Sequence, residues 1–361
     1  MNPEPARPAH DASAATAARN LNLAEQPWLL EVKGLSKNYT LRQSMFGRGS
    51  GTVRAVDNIS FFIHRGETLG LVGESGSGKT TAGRAILRAV EPTGGEVRFR
   101  LGQGESVDIV KLNKTDMRAF RRHAQMIFQD PYSSLNPRMT VRDIIAEPLV
   151  ASGLAHGSEL DDRVRQAAIR CQLKLEHLRR YPHAFSGGQR QRIGIARALV
   201  VEPEFVVCDE AVSALDVSIQ AQILNLLMDT QKEFGLTYLF IAHDLSVVEH
   251  VSDRVAVMYL GRIVELAPTA KLFYQPRHPY TAALMSAIPA LDPDEVMQPE
   301  MLEGEIPNPA NPPSGCHFHP RCRYAEPICR TEVPLLREVA PGQFAACHLA
   351  EQLTLKGAST A

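Results

Sequence analysis

Short apolar runs recur along the chain and alternate with longer stretches of helical spacing. Each run is about the length of one strand and is largely apolar on both faces, which is typical of a buried parallel sheet. The runs are 68–72, 124–128, 204–210 and 237–242. Residues 79–90, 140–180 and 218–234 between or after them are predicted to be helices. This alternation predicts an α/β core.

The amino-terminal part of the chain has a different pattern. Residues 28–33 alternate apolar and polar side chains like a strand, and a second strand is predicted at 59–64. The glycine-rich stretch 41–52 is predicted to connect them. We therefore expect an antiparallel β subdomain that leads into the parallel core. Residues 1–26 lack the apolar segment of a secretory signal and are predicted to be a disordered tail.

The loop between the strand at 68–72 and the next helix fits the phosphate-loop pattern G-x-x-x-x-G-K-[ST]. Backbone N–H groups of such a loop surround nucleotide phosphates, Lys79 adds a charge at the β- and γ-phosphates, and the Thr80 hydroxyl is a ligand for Mg²⁺. An ordinary Gly-Ser turn is the alternative, which the flanking strand and helix disfavour. The predicted nucleotide contacts here are Gly73, Ser75, Gly76, Gly78, Lys79, Thr80 and Thr81.

Ionisable residues end two other predicted strands. Asp209 and Glu210 end one, and His243 follows the other. Because ligands bind beyond the carboxyl ends of parallel strands, we predict that Asp209 holds Mg²⁺ and that Glu210 polarises the attacking water. His243 is predicted to hydrogen-bond the γ-phosphate. A strand that simply ends in solvated acids is the alternative. We expect the phosphate loop to lie on the strand next to the acidic one, which favours the functional interpretation.

A second anion site is predicted where a helix begins at residues 186–189. Ser186 occupies the cap position, and Gly187 and Gly188 leave N–H groups open to a ligand ahead of Gln189. One phosphate loop does not need a second anion site in the same chain. If two chains meet head to tail, however, this segment of one chain closes over the γ-phosphate bound by the other.

Composition and charge exclude several classes of function. The 361 residues are 44% hydrophobic and 22% charged, as in soluble globular proteins. A net charge of -1 gives no electrostatic case for a nucleic-acid partner. No apolar run reaches the roughly 18 to 20 residues that span a bilayer. We therefore expect a cytosolic protein whose membrane role, if any, is peripheral and runs through protein partners.

Four of the six cysteines lie in a proline-rich segment near the carboxyl terminus, 308–348. They are Cys316, Cys322, Cys329 and Cys347. The segment has little apolar periodicity, so we expect it to need a cross-link such as a disulfide or a metal site in order to fold. A reducing compartment disfavours disulfides, and the C-x-x-C pairs usual for zinc are absent from the sequence. An iron–sulfur cluster, a Cys₄ zinc site and free thiols all stay open on these grounds.

Together these residues resemble the ATP-binding cassette (ABC) ATPases over about residues 28–350. The matching elements, in the order typical of the family, are Tyr39, the phosphate loop, Gln129, Ser186–Gln189, Asp209–Glu210, Ser213–Asp216 and His243. Phe185 replaces the commoner leucine, and Ala211-Val212 the commoner Pro-Thr. The resemblance implies an ATP-hydrolysing P-loop core with an antiparallel β subdomain and a helical signature subdomain. It also implies that Tyr39 stacks on adenine and that Gln129 contacts Mg²⁺ and the γ-phosphate.

Within that family the chain resembles the ATPase subunits of bacterial oligopeptide and dipeptide permeases, most clearly at 128–139, 213–222 and from 278 onward. The stretch 208–213 is more similar to the second of the two ATPases in such importers. The resemblance implies a peripheral subunit on the cytoplasmic face of the inner membrane. Its implied partners are a second ATPase, two membrane subunits and, indirectly, an external binding protein.

The resemblance also implies domain bounds and a cofactor. We expect a cassette at 27–267 with its helical subdomain at about 130–200, a small cysteine-containing extension at 268–350 and a tail at 351–361. Similar extensions are associated with a [4Fe–4S] cluster, which here would be bound by the four cysteines of 308–348, with zinc as the alternative.

Other functions stay open beside peptide import. Nickel chelates, glutathione and murein peptides are alternative cargoes for the same motor. A soluble ABC ATPase of DNA repair or translation is disfavoured, because those usually have two cassettes or a coiled-coil insertion. A metal- or redox-responsive sensor, in which the cysteine segment is primary and ATP hydrolysis secondary, is the remaining alternative. Replacing Cys322 and measuring hydrolysis and uptake separately would distinguish a sensor from a motor.

Overall fold

The computed structural model describes residues 27–40, 51–102, 104–288 and 302–358. The tail predicted for 1–26 and most of the connection predicted at 41–52 lie outside the described residues. The strands are β1 (Trp28–Thr40), β2 (Thr52–His64), β3 (Thr68–Val72), β4 (Gly94–Arg100), β5 (Ser106–Asp108), β6 (Ala124–Ile127), β7 (Phe205–Asp209), β8 (Thr237–Ile241), β9 (Arg254–Tyr259), β10 (Arg262–Pro268), β11 (Arg337–Ala340) and β12 (Gln343–Ala345).

Helices lie between most of the parallel strands, as the hydrophobic pattern predicts. They are α1 (Lys79–Ile86), α2 (Lys114–Phe120), α3 (Val141–Ser152), α4 (Gly157–Arg170), α5 (Gly187–Leu199), α6 (Val217–Phe234), α7 (Leu245–Val251), α8 (Thr269–Tyr274), α9 (Pro279–Ser286) and α10 (Pro327–Thr331). Helix α1 ends earlier than the predicted residue 90, because Arg88 has a φ of 51° and the chain turns there. The α/β fold class is confirmed.

The first sheet has the strand order β2-β1-β4-β5 and is antiparallel throughout. Strands β1 and β2 pair from Trp28 opposite His64 to Thr40 opposite Thr52, with several shifts of register. Those shifts let β1 continue well beyond the predicted residue 33. Tyr39 therefore lies within the strand and not after it. The predicted antiparallel β subdomain is confirmed.

The second sheet has the order β11-β12-β10-β9-β3-β8-β7-β6. Its strands β9, β3, β8, β7 and β6 are parallel to one another. The phosphate-loop strand β3 lies between β9 and β8. The expectation that β3 is next to the acidic strand β7 is therefore wrong, because β8 lies between them. Because the parallel strands end at one edge of the sheet, the loops after β3, β6, β7 and β8 still meet there.

The helices α3, α4 and α5 form a helical subdomain that packs against α6. Arg192 of α5 is buried and anchors it. One terminal nitrogen of Arg192 donates to the carbonyl oxygen of Cys171 at 3.3 Å and to Gln172 Oε1 at 2.8 Å. The other donates to Gln222 Oε1 of α6 at 3.1 Å. The start of α5 is thereby held on the nucleotide-binding core.

Residues 302–358 extend the core sheet. Strand β12 pairs with β10, with Glu265 opposite Ala345, and with β11 on its other side. Beyond the hairpin, the backbone N–H of Ala358 donates to the carbonyl oxygen of Phe273 at 2.8 Å. The cysteine-containing region is thus joined to the core by backbone hydrogen bonds at more than one place.

Candidate active site

The phosphate loop connects β3 to α1 in a backbone conformation that requires glycine. Gly73 and Gly78 have φ angles of 149° and 105°. A Cβ atom on Gly73 would lie 2.1 Å from the carbonyl oxygen of Met258, and one on Gly78 would lie 2.1 Å from that of Ala55. No real Cβ contact is that short. The loop therefore packs directly on the backbones of β9 and β2, and its shape depends on both sheets.

Lys79 lies across the phosphate loop. Its ammonium donates to the carbonyl oxygens of Gly73 at 2.8 Å and Glu74 at 2.9 Å. Burial lowers the pKa of Lys79, against the opposing effect of the carboxylates of Glu210, Asp209 and Glu74. Within the described residues, the hydrogen bonds of this buried ammonium all go to neutral groups, the third being Ser77 Oγ at 3.4 Å, so it can still pair directly with an anionic ligand such as a polyphosphate.

Thr80 and Asp209 form the part of the site suited to a divalent cation. The Thr80 hydroxyl donates to Asp209 Oδ1 at 2.8 Å. Asp209 Oδ2 is buried and has no hydrogen-bond partner among the described residues, although Arg84 lies 3.6 Å away. Burial raises the pKa of Asp209, which marks a carboxylate short of solvation. A hydroxyl beside an under-coordinated carboxylate is a donor set that fits Mg²⁺.

Glu210, Gln129 and His243 converge from three strand ends. Glu210 has a φ of 47°, and its N–H donates to the carbonyl oxygen of Ile241 at 2.9 Å. The Gln129 amide donates to Glu210 Oε2 at 2.7 Å, and His243 Nδ1 lies 3.4 Å from the same oxygen. The three side chains can therefore position one water molecule and a phosphate oxygen together.

The phosphate loop and these three side chains face one cavity of about 400 Å³. The predicted site residues that line it are Ser75, Gly76, Gly78, Lys79, Thr80, Thr81, Gln129, Glu210 and His243. Arg54 and Pro309 line it as well, whereas the predicted site residues Gly73 and Asp209 are not among its lining residues. Arg84 lies 3.6 Å from Asp209 Oδ2. No motif in the sequence indicated Arg54, Pro309 or Arg84 as site residues. Arg84 could have been identified from the sequence, because it is a basic residue about one helical turn after Thr80. Arg54 and Pro309 have no motif around them.

Two predicted parts of the site lie elsewhere on the chain. Among the described residues that line the cavity, neither Tyr39 nor Ser186–Gln189 appears. Tyr39 is 41% exposed and pairs across the sheet with Val53, which does line the cavity. Ser186 and Gln189 are exposed and form a capping box at the start of α5. Residues 186–189, which we call the signature segment, therefore already have the conformation of a helix start and are accessible to another molecule.

Gly188 in this segment packs tightly on the core. A Cβ atom there would lie 2.4 Å from the Cγ2 methyl of Ile219 on α6. An alanine side chain would overlap this methyl group unless the Ile219 side chain or one of the two helices moved. Glycine at this position thus sets how closely α5 and α6 approach.

The four carboxyl-terminal cysteines are free thiols that line one small cavity. Burial raises the pKa of Cys322 to about 11 and that of Cys347 to about 12. Within the described ranges, no group of three or more His, Cys, Asp or Glu side chains is arranged to hold a metal ion. Four thiols that line one cavity are the right number for a four-cysteine site. In the described residues, however, their sulfur atoms are not placed as the ligands of one metal ion would be. The [4Fe–4S] cluster and its zinc alternative stay predictions.

A phosphate loop, a hydroxyl–carboxylate pair that fits Mg²⁺ and a further carboxylate at the same sheet edge are the features of a P-loop ATPase. Two family models match the chain: ABC transporter at residues 56–213, and the carboxyl-terminal region of oligopeptide/dipeptide transporters at 264–329. A putative peptide import ATP-binding protein of Brucella ovis is 54% identical over 325 residues, which cover 90% of this chain and 98% of the relative. The chain belongs to the ATP-hydrolysing subunits of ABC transporters, in the oligopeptide/dipeptide transporter family.

Other relatives agree with this placement. The oligopeptide transport ATP-binding protein AppF of Bacillus subtilis is 50% identical over 332 residues, or 91% of this chain and 99% of AppF. A solved dimeric ATP-binding cassette, in a post-hydrolysis state with ADP and Pi bound, superposes with a TM-score of 0.58 at 26% identity. The match covers 67% of this chain and 99% of that one. Among the helices in the described part of this chain, none combines the length and apolarity needed to cross a membrane.

Proposed function

We propose that this chain is one of two ATPase subunits that drive peptide import across the bacterial inner membrane. The observation that carries the proposal is the exposed, pre-formed signature segment at Ser186–Gln189, which is separate from the chain's own phosphate loop. A second cassette facing it supplies the nucleotide that this segment contacts. Relatives named for peptide import and the transporter-type carboxyl-terminal region support the cargo class.

The assembly we propose places this subunit on the cytoplasmic face, beneath two membrane subunits that receive cargo from an external binding protein. The other ATPase is a different chain, and this one takes the second position of the pair. ATP binds between the two cassettes. Closure then depends on nucleotide, because the anions buried at the interface are stable only when donors from both chains surround them.

Hydrolysis follows from the contacts described above. Lys79 and the loop N–H groups hold the β- and γ-phosphates, with Thr80 and Asp209 as the ligands for Mg²⁺ and the Gln129 amide oxygen as a further one. Mg²⁺ held by these residues would supply positive charge beside the phosphate oxygens. Glu210 polarises the water that forms the new bond to the γ-phosphorus. His243 donates to a γ-phosphate oxygen, and Tyr39 stacks on adenine beside Val53.

The test replaces the carboxylate of Glu210 by an amide of the same shape. In Glu210→Gln, we expect ATP to stay bound and the two ATPases to co-elute as a stable dimer, with turnover reduced by about 100-fold or more. Glu202→Gln, at an exposed position that follows α5, is the matched control and should leave turnover unchanged. Normal turnover in Glu210→Gln would remove that residue from the catalytic role.

Cargo class is tested on the assembled transporter. The complex is purified with its partner subunits and binding protein, and ATPase stimulation is compared for short peptides, a nickel chelate, glutathione and a murein peptide. Stimulation by peptides supports the proposal. Stimulation by one of the others alone would replace the cargo and leave the motor role in place.

We also propose that Cys316, Cys322, Cys329 and Cys347 together bind a [4Fe–4S] cluster, with zinc as the competing occupant. Their common cavity and their number support this, since four thiolates complete such a site. Metal binding would require the thiols to ionise and draw closer.

Metal content is measured in protein purified without oxygen, as iron, acid-labile sulfide and zinc. Cys322→Ser should lose the metal, while Cys171→Ser, at a buried position that ends α4, should keep it. Wild-type protein free of iron, sulfide and zinc would end the proposal.

A further inference from the structure

A residue of the carboxyl-terminal region, by which we mean residues 302–358, holds the phosphate loop by its side chain. Arg321, at the end of the short helix His319–Arg321, donates from one terminal nitrogen to Glu74 Oε2 at 2.8 Å and from the other to Glu74 Oε1 at 3.1 Å. Glu74 directly follows Gly73 in the loop. The two side chains therefore form a bidentate pair between segments that lie 247 positions apart in the chain.

The pair is built into the protein. The Arg321 side chain is 6% exposed and that of Glu74 is 25% exposed. The guanidinium also lies 5.9 Å from the ring centroid of Tyr259, and one of its nitrogens is 3.5 Å from the Tyr259 hydroxyl. Burial and parallel hydrogen bonds distinguish this contact from an exposed ion pair, which is usually worth little.

Glu74 is held at its backbone as well. Its N–H donates to the Tyr280 hydroxyl at 2.8 Å, and its carbonyl oxygen accepts from the Lys79 ammonium at 2.9 Å. Rotation of the Glu74 peptide unit would move a carbonyl that positions Lys79. Arg321 therefore acts on the Lys79 ammonium indirectly, through its contact with Glu74.

We propose that Arg321 is a positioning residue for nucleotide binding and that the carboxyl-terminal region completes the phosphate loop of its own chain. Pro309 of the same region lines the nucleotide cavity and supports this. The proposal rests on ATP binding at the loop but not on the two-chain site. Cys322 follows Arg321 directly, so a change at the cysteine cavity is one peptide bond away from the residue that pairs with Glu74.

The test measures Mg-ADP affinity of the full-length chain by equilibrium titration. ADP reaches the phosphate loop but does not require the signature segment of a partner, so a faulty two-chain model would not affect the result. Arg321→Ala should weaken Mg-ADP binding by about 10-fold, and Arg321→Lys, which keeps the charge but not the fork, by less. In the assembled transporter, KM for ATP should rise while kcat stays within about twofold.

Two further variants separate positioning from general stability. Arg337→Ala breaks an exposed ion pair with Glu351 in the same region and should leave ADP affinity unchanged. Glu74→Gln tests the same contact from the loop side, and should weaken binding even if Arg321→Ala fails to fold. The double variant should bind no more weakly than Arg321→Ala alone, because both changes remove one interaction. Unchanged affinity in the folded single variants, or fully additive losses in the double variant, would overturn the proposal.

Discussion

Gly76 and Gly78 lie in the same loop and both have positive φ, yet their replacement by alanine should have different consequences. Gly76 has a φ of 80°, and no atom outside its chain neighbours lies within 4 Å of an added Cβ. Gly76→Ala therefore suffers the left-handed backbone penalty alone, about 1–2 kcal/mol. Gly78→Ala carries a similar penalty at 105° and also places its Cβ 2.1 Å from the carbonyl oxygen of Ala55. Relieving that overlap should add about 1–3 kcal/mol.

Urea-induced unfolding without nucleotide, followed by circular dichroism, measures this difference. Nucleotide is omitted so that effects on phosphate contacts do not enter the comparison. We expect the midpoint to fall in the order wild type, Gly76→Ala, Gly78→Ala, at similar m-values. Equal midpoints for the two variants would refute the idea that packing against β2, and not backbone conformation alone, requires glycine at position 78.

Two other predictions concern the core. Thr80→Val removes the donor to Asp209 Oδ1; unfolding should become easier by about 1–3 kcal/mol, and the Mg²⁺ concentration for half-maximal ATPase activity should rise. An unaltered Mg²⁺ titration would contradict the assigned ligand pair. Hydrogen bonds from His123 and Arg65 lower the pKa of Glu204 to about 2 from 4.5, so its stabilisation is present above pH 4.5 and lost as pH falls toward 2. In urea unfolding, Glu204→Gln should therefore cost about 1–2 kcal/mol at pH 7, reduced for partial exposure, and progressively less below pH 4.5. A cost that does not change with pH would contradict this assignment.

Much of this protein could be predicted because the relevant interactions are local. The phosphate loop needs a strand, glycines and a helix start within about a dozen residues, and the backbone conformation follows from those residue types. The capping box at Ser186 is likewise complete within one helical turn. Apolar runs without a polar face indicated buried parallel strands, because such strands are covered on both sides.

Features that depend on partners far away in the chain could not be predicted from local patterns. Strand β8 lies between β3 and β7, and Tyr39 lies inside β1, because strand order and register are set by pairing across the whole sheet. Arg321 meets Glu74 only after the carboxyl-terminal region packs against the core. No local pattern marks such a pair, since the free energy that brings the two segments together comes from apolar burial elsewhere in the chain. Local residue types therefore account for the chemistry of the phosphate loop, whereas folding brings together the distant residues that hold that loop in place.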